Sequence, residues 1–538
     1  MAIKKYLANA DNTIVSTYQS NLTTRGTGAN MGRSDIVETY SVYGRQQTSG
    51  SATQKASQEL SRILMKFPIS DISTDRGNSV IPASGSVSFY LRLFNAEHTK
   101  AVPRNLILKV LAVSSSWQEG DGLDMENYDD LTKNQYPGSN WMSASNTEAW
   151  TLVGGDYISA SSQWDDSGNP PVYSQSFSTG LEDLEIDISG LVEHWIASDI
   201  NNYGVGIHLT SSQEAYYSAS AIEGTDVQHP AIGPILNITG GAQKSWYTKR
   251  FFGRGTQFFF KRPVIEARWN STKRDDRGDF FYSSSLAPAA DNLNTLYFYN
   301  YIRGRLRDIP AIGTTGSLML SLFSGSATNA APSGSKLILS DGTMAITGGW
   351  VSTGIYSASV ALTAASTPVK TLYDVWWSGS GDDPSTNVTE FATGSIAASK
   401  VVPLDHSRHP TYYINITNLR NKYNNSETAR FNLYVRNKNW NPTIYTKASS
   451  VVPGVSIHSA SYRVFRIRDG LEAVPYGTGS DFQTGISYDV SGNYFDFDMN
   501  LLDGGYAYGF KFAFYDPELS TWTEQDKVFK FRVEDYEY

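Results

Sequence analysis

Several groups of residues in this 538-residue chain carry side chains able to do chemistry. Asp121, Asp124, Glu126, Asp129 and Asp130 offer hard oxygen donors at short spacing, the donor type that calcium takes. An EF-hand's central glycine and terminal glutamate are not in register with them, so a solvated acidic loop is the expectation. No cofactor is expected, Ca2+ being the one ion these acids would suit. His406 and His409, separated by two residues and preceded by Asp405, would supply half a zinc site. Pro403 and Pro410 place that pair in a loop, and no third ligand follows. His194 falls on the less apolar side of a short helix and reads as solvent-facing. Trp141, Trp150, Tyr157, Trp164, Tyr216 and Tyr217 lie in polar surroundings. Rings so placed serve as protein–protein anchors or as sugar platforms, and inter-subunit packing is the favoured expectation.

Enzymatic signatures are missing from the sequence. The chain has 53 acids, yet no local pattern selects a carboxylate pair for glycoside hydrolysis. No GxSxG, HExxH, Walker loop or Rossmann fingerprint occurs. YTKRFFGRG (247–255) and RGRLR (303–307) are basic–aromatic patches that could meet DNA or an acidic partner. Alternation across a sheet explains them equally well, and the net charge of −9 argues against nucleic acid as the main partner. The expectation is a non-enzyme.

The elements that must position these residues read as β-strands. Aromatic residues make up 13% of the chain and charged residues only 18%, a composition of strands with long polar loops. Zero cysteines exclude disulfides, thiolate catalysis and Cys-ligated metals. Strands are predicted at 63–67, 87–94, 106–113 and 184–188. One short amphipathic helix follows the last of these, with Ile188, Leu191, Val192, Trp195 and Ile196 on one face. Asp187 or Ser189 can cap it, and Val205, Ile207 and Leu209 alternate beyond the Asn201–Asn202 turn. The polar, aromatic stretch 120–180 reads as a functional or interfacial loop. KRDDRGD (273–279) reads as a charged, flexible boundary.

Three domains are therefore expected: 1–272, 273–395 and 396–538. The middle one carries strands at 296–304, 317–323 and 371–377. The last carries TYYINITNL, ARFNLYVR, YRVFRIRDG and a terminal KVFKFRVEDYE, a spacing that fits an Ig-like sandwich. The opening MAIKKYLANADNTIV has a basic start but no apolar run, a poor secretory signal, and no stretch approaches a spanning helix. Synthesis in a cytoplasm without membrane insertion is expected.

The order of landmarks in the first 270 residues resembles the DNRLRE-type, disaggregatase-related β-sandwich domain. The landmarks are ADNTIV (10–15), SRILMKFPIS (61–70), SFYLRLF (88–94), LKVLAVSSSWQEG (108–120), the helix at 187–195, NYGVGIHL (202–209) and RPVIEARW (262–269). That resemblance implies a jelly-roll-like N-terminal β-sandwich, structural or glycan-binding, with no catalytic residues. The whole chain also resembles virion structural proteins of tailed marine bacteriophages, cyanophages among them. This second resemblance rests on IKKYLANADNTIVSTYQSNLTTRGTGANMG and SYDVSGNYFDFDMNLLDGGYAYGFKFAFYD. It implies an all-β, multidomain particle component in the tail, neck or baseplate, or a capsid-attached fibre or decoration. Such a component is assembled in the host cytoplasm and works through other virion proteins and copies of itself. A glycan-binding adhesin for host attachment is the alternative, and a polysaccharide-degrading enzyme the second alternative.

Overall fold

The computed structural model describes residues 2–16, 30–46, 55–99, 102–122, 138–158, 172–210, 213–214, 246–284, 286–325, 336–365, 369, 371–379, 389–399, 410–440, 454–477, 479 and 481–535. It is an all-β, multidomain protein of several sheets, with two nine-residue helices among the described residues. The chain divides into two compact units, Ala2–Trp269 and Asn270–Tyr538.

In Ala2–Trp269 the strands are β1 (Ile3–Leu7), β2 (Ala10–Val15), β3 (Ile36–Gln46), β4 (Lys55–Lys66), β5 (Ser88–Leu93) and β6 (Leu106–Ala112). They continue with β7 (Val172–Phe177), β8 (Leu184–Asp187), β9 (Val205–Leu209), β10 (Trp246–Phe252) and β11 (Val264–Arg268). One sheet runs β1-β11-β5-β8, and a second runs β10-β3-β4-β9-β6-β7 with β2 also on β4. Every pairing in both is antiparallel. The main core draws Phe89, Leu91 and Ile265 from the first sheet and Ile63, Met65, Leu108, Val110 and Ile207 from the second. Strand alternation sends Leu60 and Leu64 of β4 into a different apolar cluster, with Ile14, Trp141 and Trp150. Both faces of β4 are thus covered.

Helix α1 (Ile69–Gly77) is absent from the sequence expectation, and its weak apolar patterning accounts for that: only Ile69 and Ile72 are buried. The second helix, α2 (Ser189–Ala197), buries Leu191, Val192 and Trp195 in the main core. Asp187 closes its start, accepting from the Ser189 N–H at 2.9 Å and the Ser189 hydroxyl at 2.5 Å. The Ser189 hydroxyl oxygen in turn accepts from Phe89 N–H at 2.7 Å, tying the helix to β5. Ser198 ends the helix in the left-handed region at φ 65°.

In Asn270–Tyr538 the strands are β12 (Phe280–Phe281), β13 (Asn294–Tyr299), β14 (Tyr301–Ile302), β15 (Arg305–Leu306), β16 (Leu318–Ser324), β17 (Ile346–Ser352), β18 (Ile355–Val360), β19 (Thr371–Ser378) and β20 (Thr389–Ser399). There follow β21 (Tyr412–Ile416), β22 (Lys422–Asn424), β23 (Thr428–Asn437), β24 (Ala460–Arg466), β25 (Glu472–Val474) and β26 (Ser487–Asp489). The last are β27 (Gly492–Asp498), β28 (Ala507–Asp516), β29 (Thr521–Glu524) and β30 (Phe529–Glu534). The sheets run β12-β20-β19-β16-β17-β18-β13, then β21-β23-β27-β26, then β22-β30-β28-β24-β25 with β29 on β28; β14 and β15 form a hairpin. Phe431 of β23 and Phe495 of β27 meet Phe510 of β28 at ring distances of 4.9 and 5.2 Å. Phenylalanines therefore join the last two sheets across one core.

The run 273–279 begins three residues after the division at Trp269–Asn270, but it is anchored and not flexible. Lys273 O accepts from Tyr488 N–H, and Asp275 N–H donates to Tyr488 O, both at 3.0 Å. Asp276 accepts from the Thr295 N–H and the Tyr488 hydroxyl, both at 2.7 Å. Its charges resemble a linker in composition, but the carboxylates serve as hydrogen-bond anchors between strands distant in sequence.

Candidate functional site

The expected site residues separate on folding. Trp141 and Trp150 are buried, packed on the face of β4 opposite the main core, so neither is a surface anchor or sugar platform. The Trp150 indole N–H donates to Asn140 O at 2.8 Å. The Arg62 guanidinium lies 5.1 Å from the Trp141 ring and 5.7 Å from the half-buried Tyr157 ring. It forms a two-pronged pair with Glu214 at 3.1 and 2.9 Å. Burial, then the nearby Arg62, pushes His208 down to about 4, and burial pushes Tyr157 up to about 12. These groups build the interior of the unit. Local composition hides this, because the sheet face that covers the tryptophans is distant in sequence.

Trp164, Tyr216 and Tyr217 lie outside the described residues, as do Asp124, Glu126, Asp129, Asp130, Asp405, His406 and His409. Asp121 pairs with Arg33 at 2.9 Å, and both are exposed. Among the described residues no group of three His, Cys, Asp or Glu is placed to hold a metal ion. His194 meets Asp199 at 2.8 Å. In the patch 247–255 each cation is engaged by partners in its own unit, and Lys249 alone is buried. Lys249 is buried and donates to Asn95 Oδ1, Gly180 O and Glu182 O at 2.6, 2.8 and 2.7 Å. Burial lowers its pKa to about 8, against the pull of Asp183 and Glu182. Arg250 donates to Glu38 at 2.7 Å, and Arg254 pairs with Glu119 at 2.8 Å.

The site the fold does build is a cleft of about 480 Å³ within Asn270–Tyr538. Its floor is a buried strut. Asp374 on β19 is fully buried and accepts from Arg277 Nη1 at 2.5 Å and Nη2 at 2.7 Å. It also accepts from the Trp376 indole, two residues along the strand, at 2.7 Å. Arg277 Nη2 donates further to Tyr297 O at 3.2 Å. Asp275 accepts from Arg277 N–H at 3.1 Å, and burial pushes its carboxyl up to about 6 although Arg277 pulls it down.

Tyr297 and Tyr299, on one face of β13, form one wall with their rings stacked at 6.3 Å. Opposite stand Tyr494 of β27 and Arg430 of β23, the guanidinium 4.3 Å from the ring. Burial raises the Tyr299 hydroxyl above its ordinary range and pushes Tyr494 up to about 12. Burial also lowers Lys273, which Asp496 partly offsets. Tyr301 and Val490 form a rim that is 61% and 67% exposed. Lys273, Arg277 and Arg430 balance Asp275, Asp374 and Asp489, three charges of each sign. Beside the cleft, β20 is an edge: β12 covers only Ala398 and Ser399, and among the described residues no strand pairs with the outer side of 389–397.

The chain matches no described protein family, and no curated protein matches it. Solved structures similar to it include a DUF4785 family protein from Legionella pneumophila, at 10% identity and a TM-score of 0.13, covering 92% of this chain and 90% of that one. Another is a Salmonella alpha-2-macroglobulin reacted with methylamine, at 8% identity and a TM-score of 0.13, covering 97% of this chain and 28% of that one. Likenesses at that TM-score bear on neither fold nor function.

Proposed function

We propose that the chain is a structural, non-catalytic component of a tailed-phage virion, acting through protein–protein assembly. The observation that carries this reading is the flank of β20 over 389–397, a strand edge rich in Ala, Thr, Gly and Ser that no strand pairs with among the described residues. Natural proteins usually cover, twist or charge such an edge, and an added strand from a partner is the direct way to satisfy it. The resemblance to phage particle proteins supplies the partners: other virion proteins and further copies of this chain. On this reading Ala2–Trp269 is a jelly-roll-like β-sandwich of the DNRLRE type, and the sheets of 280–399 and 412–534 are sandwich modules, the last Ig-like. Two sheets sharing one core support that assignment for Ala2–Trp269 and for 412–534, while 280–399 folds as one seven-stranded sheet around its own core.

A density map of the intact particle, with its protein inventory, tests the proposal. The expected result is this chain at a defined symmetry position with 389–397 paired to a neighbour. Purified particles that lack the chain would overturn it. The adhesin alternative loses Trp141 and Trp150 as platforms and keeps the aromatic cleft as its support.

A further inference from the structure

We infer that the cleft walled by Tyr297, Tyr299 and Tyr494, with Tyr301 at its rim, is a binding site for neutral oligosaccharides. The inference deepens the adhesin alternative and does not depend on where the chain sits in a particle. Three features select this ligand class. The first is shape and lining: a trough of about 480 Å³ holds four tyrosines together with Phe298 and Trp376. Tyrosine offers an apolar ring for the C–H faces of a sugar and a hydroxyl for its hydroxyls.

The second is charge. Three cations and three carboxylates leave the lining formally neutral. A site for phosphate, sulfate or uronate would carry an excess of cations, and one for an amine an excess of carboxylates. Arg277 and Asp374 satisfy one another and Arg430 pairs with Asp496 at 2.9 Å, so neither guanidinium is an unbalanced charge that would select an ionic ligand, and the tyrosines remain as the recognition surface.

The third is preorganisation. Arg277 is fixed by two contacts to Asp374 and one to Tyr297 O, and Asp374 is fixed again by Trp376. The Asp489 carboxylate at the opposite lip is held by Ser491, whose N–H donates to it at 2.7 Å. Polar groups already locked in place lose little freedom when a ligand arrives, so they favour binding. The rim residues Tyr301 and Val490 are exposed: Tyr301 opens the β14–β15 hairpin opposite Leu306, and Val490 lies in the turn between β26 and β27.

Isothermal titration calorimetry on the full chain, with hexasaccharides of glucan, mannan, galactan and xylan as probes and heparin and polygalacturonate as anionic comparators, tests the inference. At least one neutral hexasaccharide should bind, and more tightly than either anionic polymer. Tyr301→Ala, a rim substitution that leaves the interior intact, should weaken that binding about five- to tenfold. Trp522→Ala, an exposed aromatic away from the cleft, should leave it unchanged. Absence of binding to all four neutral probes overturns the inference. Tighter binding to the anionic polymers overturns it too, as does binding that Tyr301→Ala leaves untouched. The particle map decides the assembly role by a separate measurement, so the two readings fail independently.

Discussion

Replacing Asp374 by asparagine removes one negative charge from the floor of the cleft while keeping the side chain's size. Asp374 has no exposure and satisfies Arg277 through contacts of 2.5 and 2.7 Å, while Arg277 itself is largely buried. The variant leaves the guanidinium with a single carbonyl-like acceptor in place of a two-pronged carboxylate. Breaking one side of a buried pair typically costs about 3–5 kcal/mol, because the surviving charge stays desolvated. For a unit of this size that corresponds to a fall in melting temperature of roughly 5–9 °C. Calorimetry of the full chain reads the loss, and hydrogen exchange of the β19 amides locates it. Arg277→Met should cost a similar amount, since it strands the carboxylate instead. The double variant Arg277→Met with Asp374→Asn should cost clearly less than the two single losses added together. A loss below about 0.5 kcal/mol for Asp374→Asn, or strict additivity in the double variant, would refute the claim that this pair is a buried strut.

Two further outcomes follow from side chains whose surroundings are closed. Trp141→Ala should destabilise Ala2–Trp269 by about 3–5 kcal/mol in a urea titration, the cost of emptying a buried aromatic site. A change below about 0.5 kcal/mol would instead fit a surface anchor. Asp275, facing Arg277 and Asp374, has its carboxyl raised to about 6 by burial, above its usual 3.8. Below pH 4 it is protonated in folded and unfolded chains alike. As pH rises from about 4 to 6 the unfolded chain loses the proton first, so this group costs stability, by roughly 2–3 kcal/mol once above 6. Asp275→Asn should flatten that part of the stability–pH curve, measured by urea titrations between pH 4 and 7.5; an unchanged slope counts against the burial argument.

The legible parts of the fold were those whose signal is local. The α2 face repeats at helical spacing, and β5, β6, β8 and β9 alternate or form short apolar runs, so each could be placed within a residue or two. The amino-terminal half of β4 was not legible, because KASQEL carries few apolar residues and its pairing with β3 supplies the order. The 273–279 run was misread since seven mostly charged residues look alike whether solvated or anchored. Trp141 and Trp150 were misread for the same reason, their cover being β2, β4 and Val113. The cleft was invisible in the sequence. Its walls come from near 275, 298, 375, 393, 430 and 490, which no spacing rule connects.

Pairing of β1 with β11 has a consequence for how the first unit is made. Ile3 lies opposite Arg268, and β5 flanks β11 on its other side. On a ribosome adding about 5–20 residues per second, β1 waits on the order of tens of seconds for its partner. Until then the first sheet lacks its second-position strand, and β1 and β5 both hold open edges. Any truncation upstream of Val264 makes that waiting state permanent, so fragments cut there should precipitate where a fragment ending after Trp269 stays in solution.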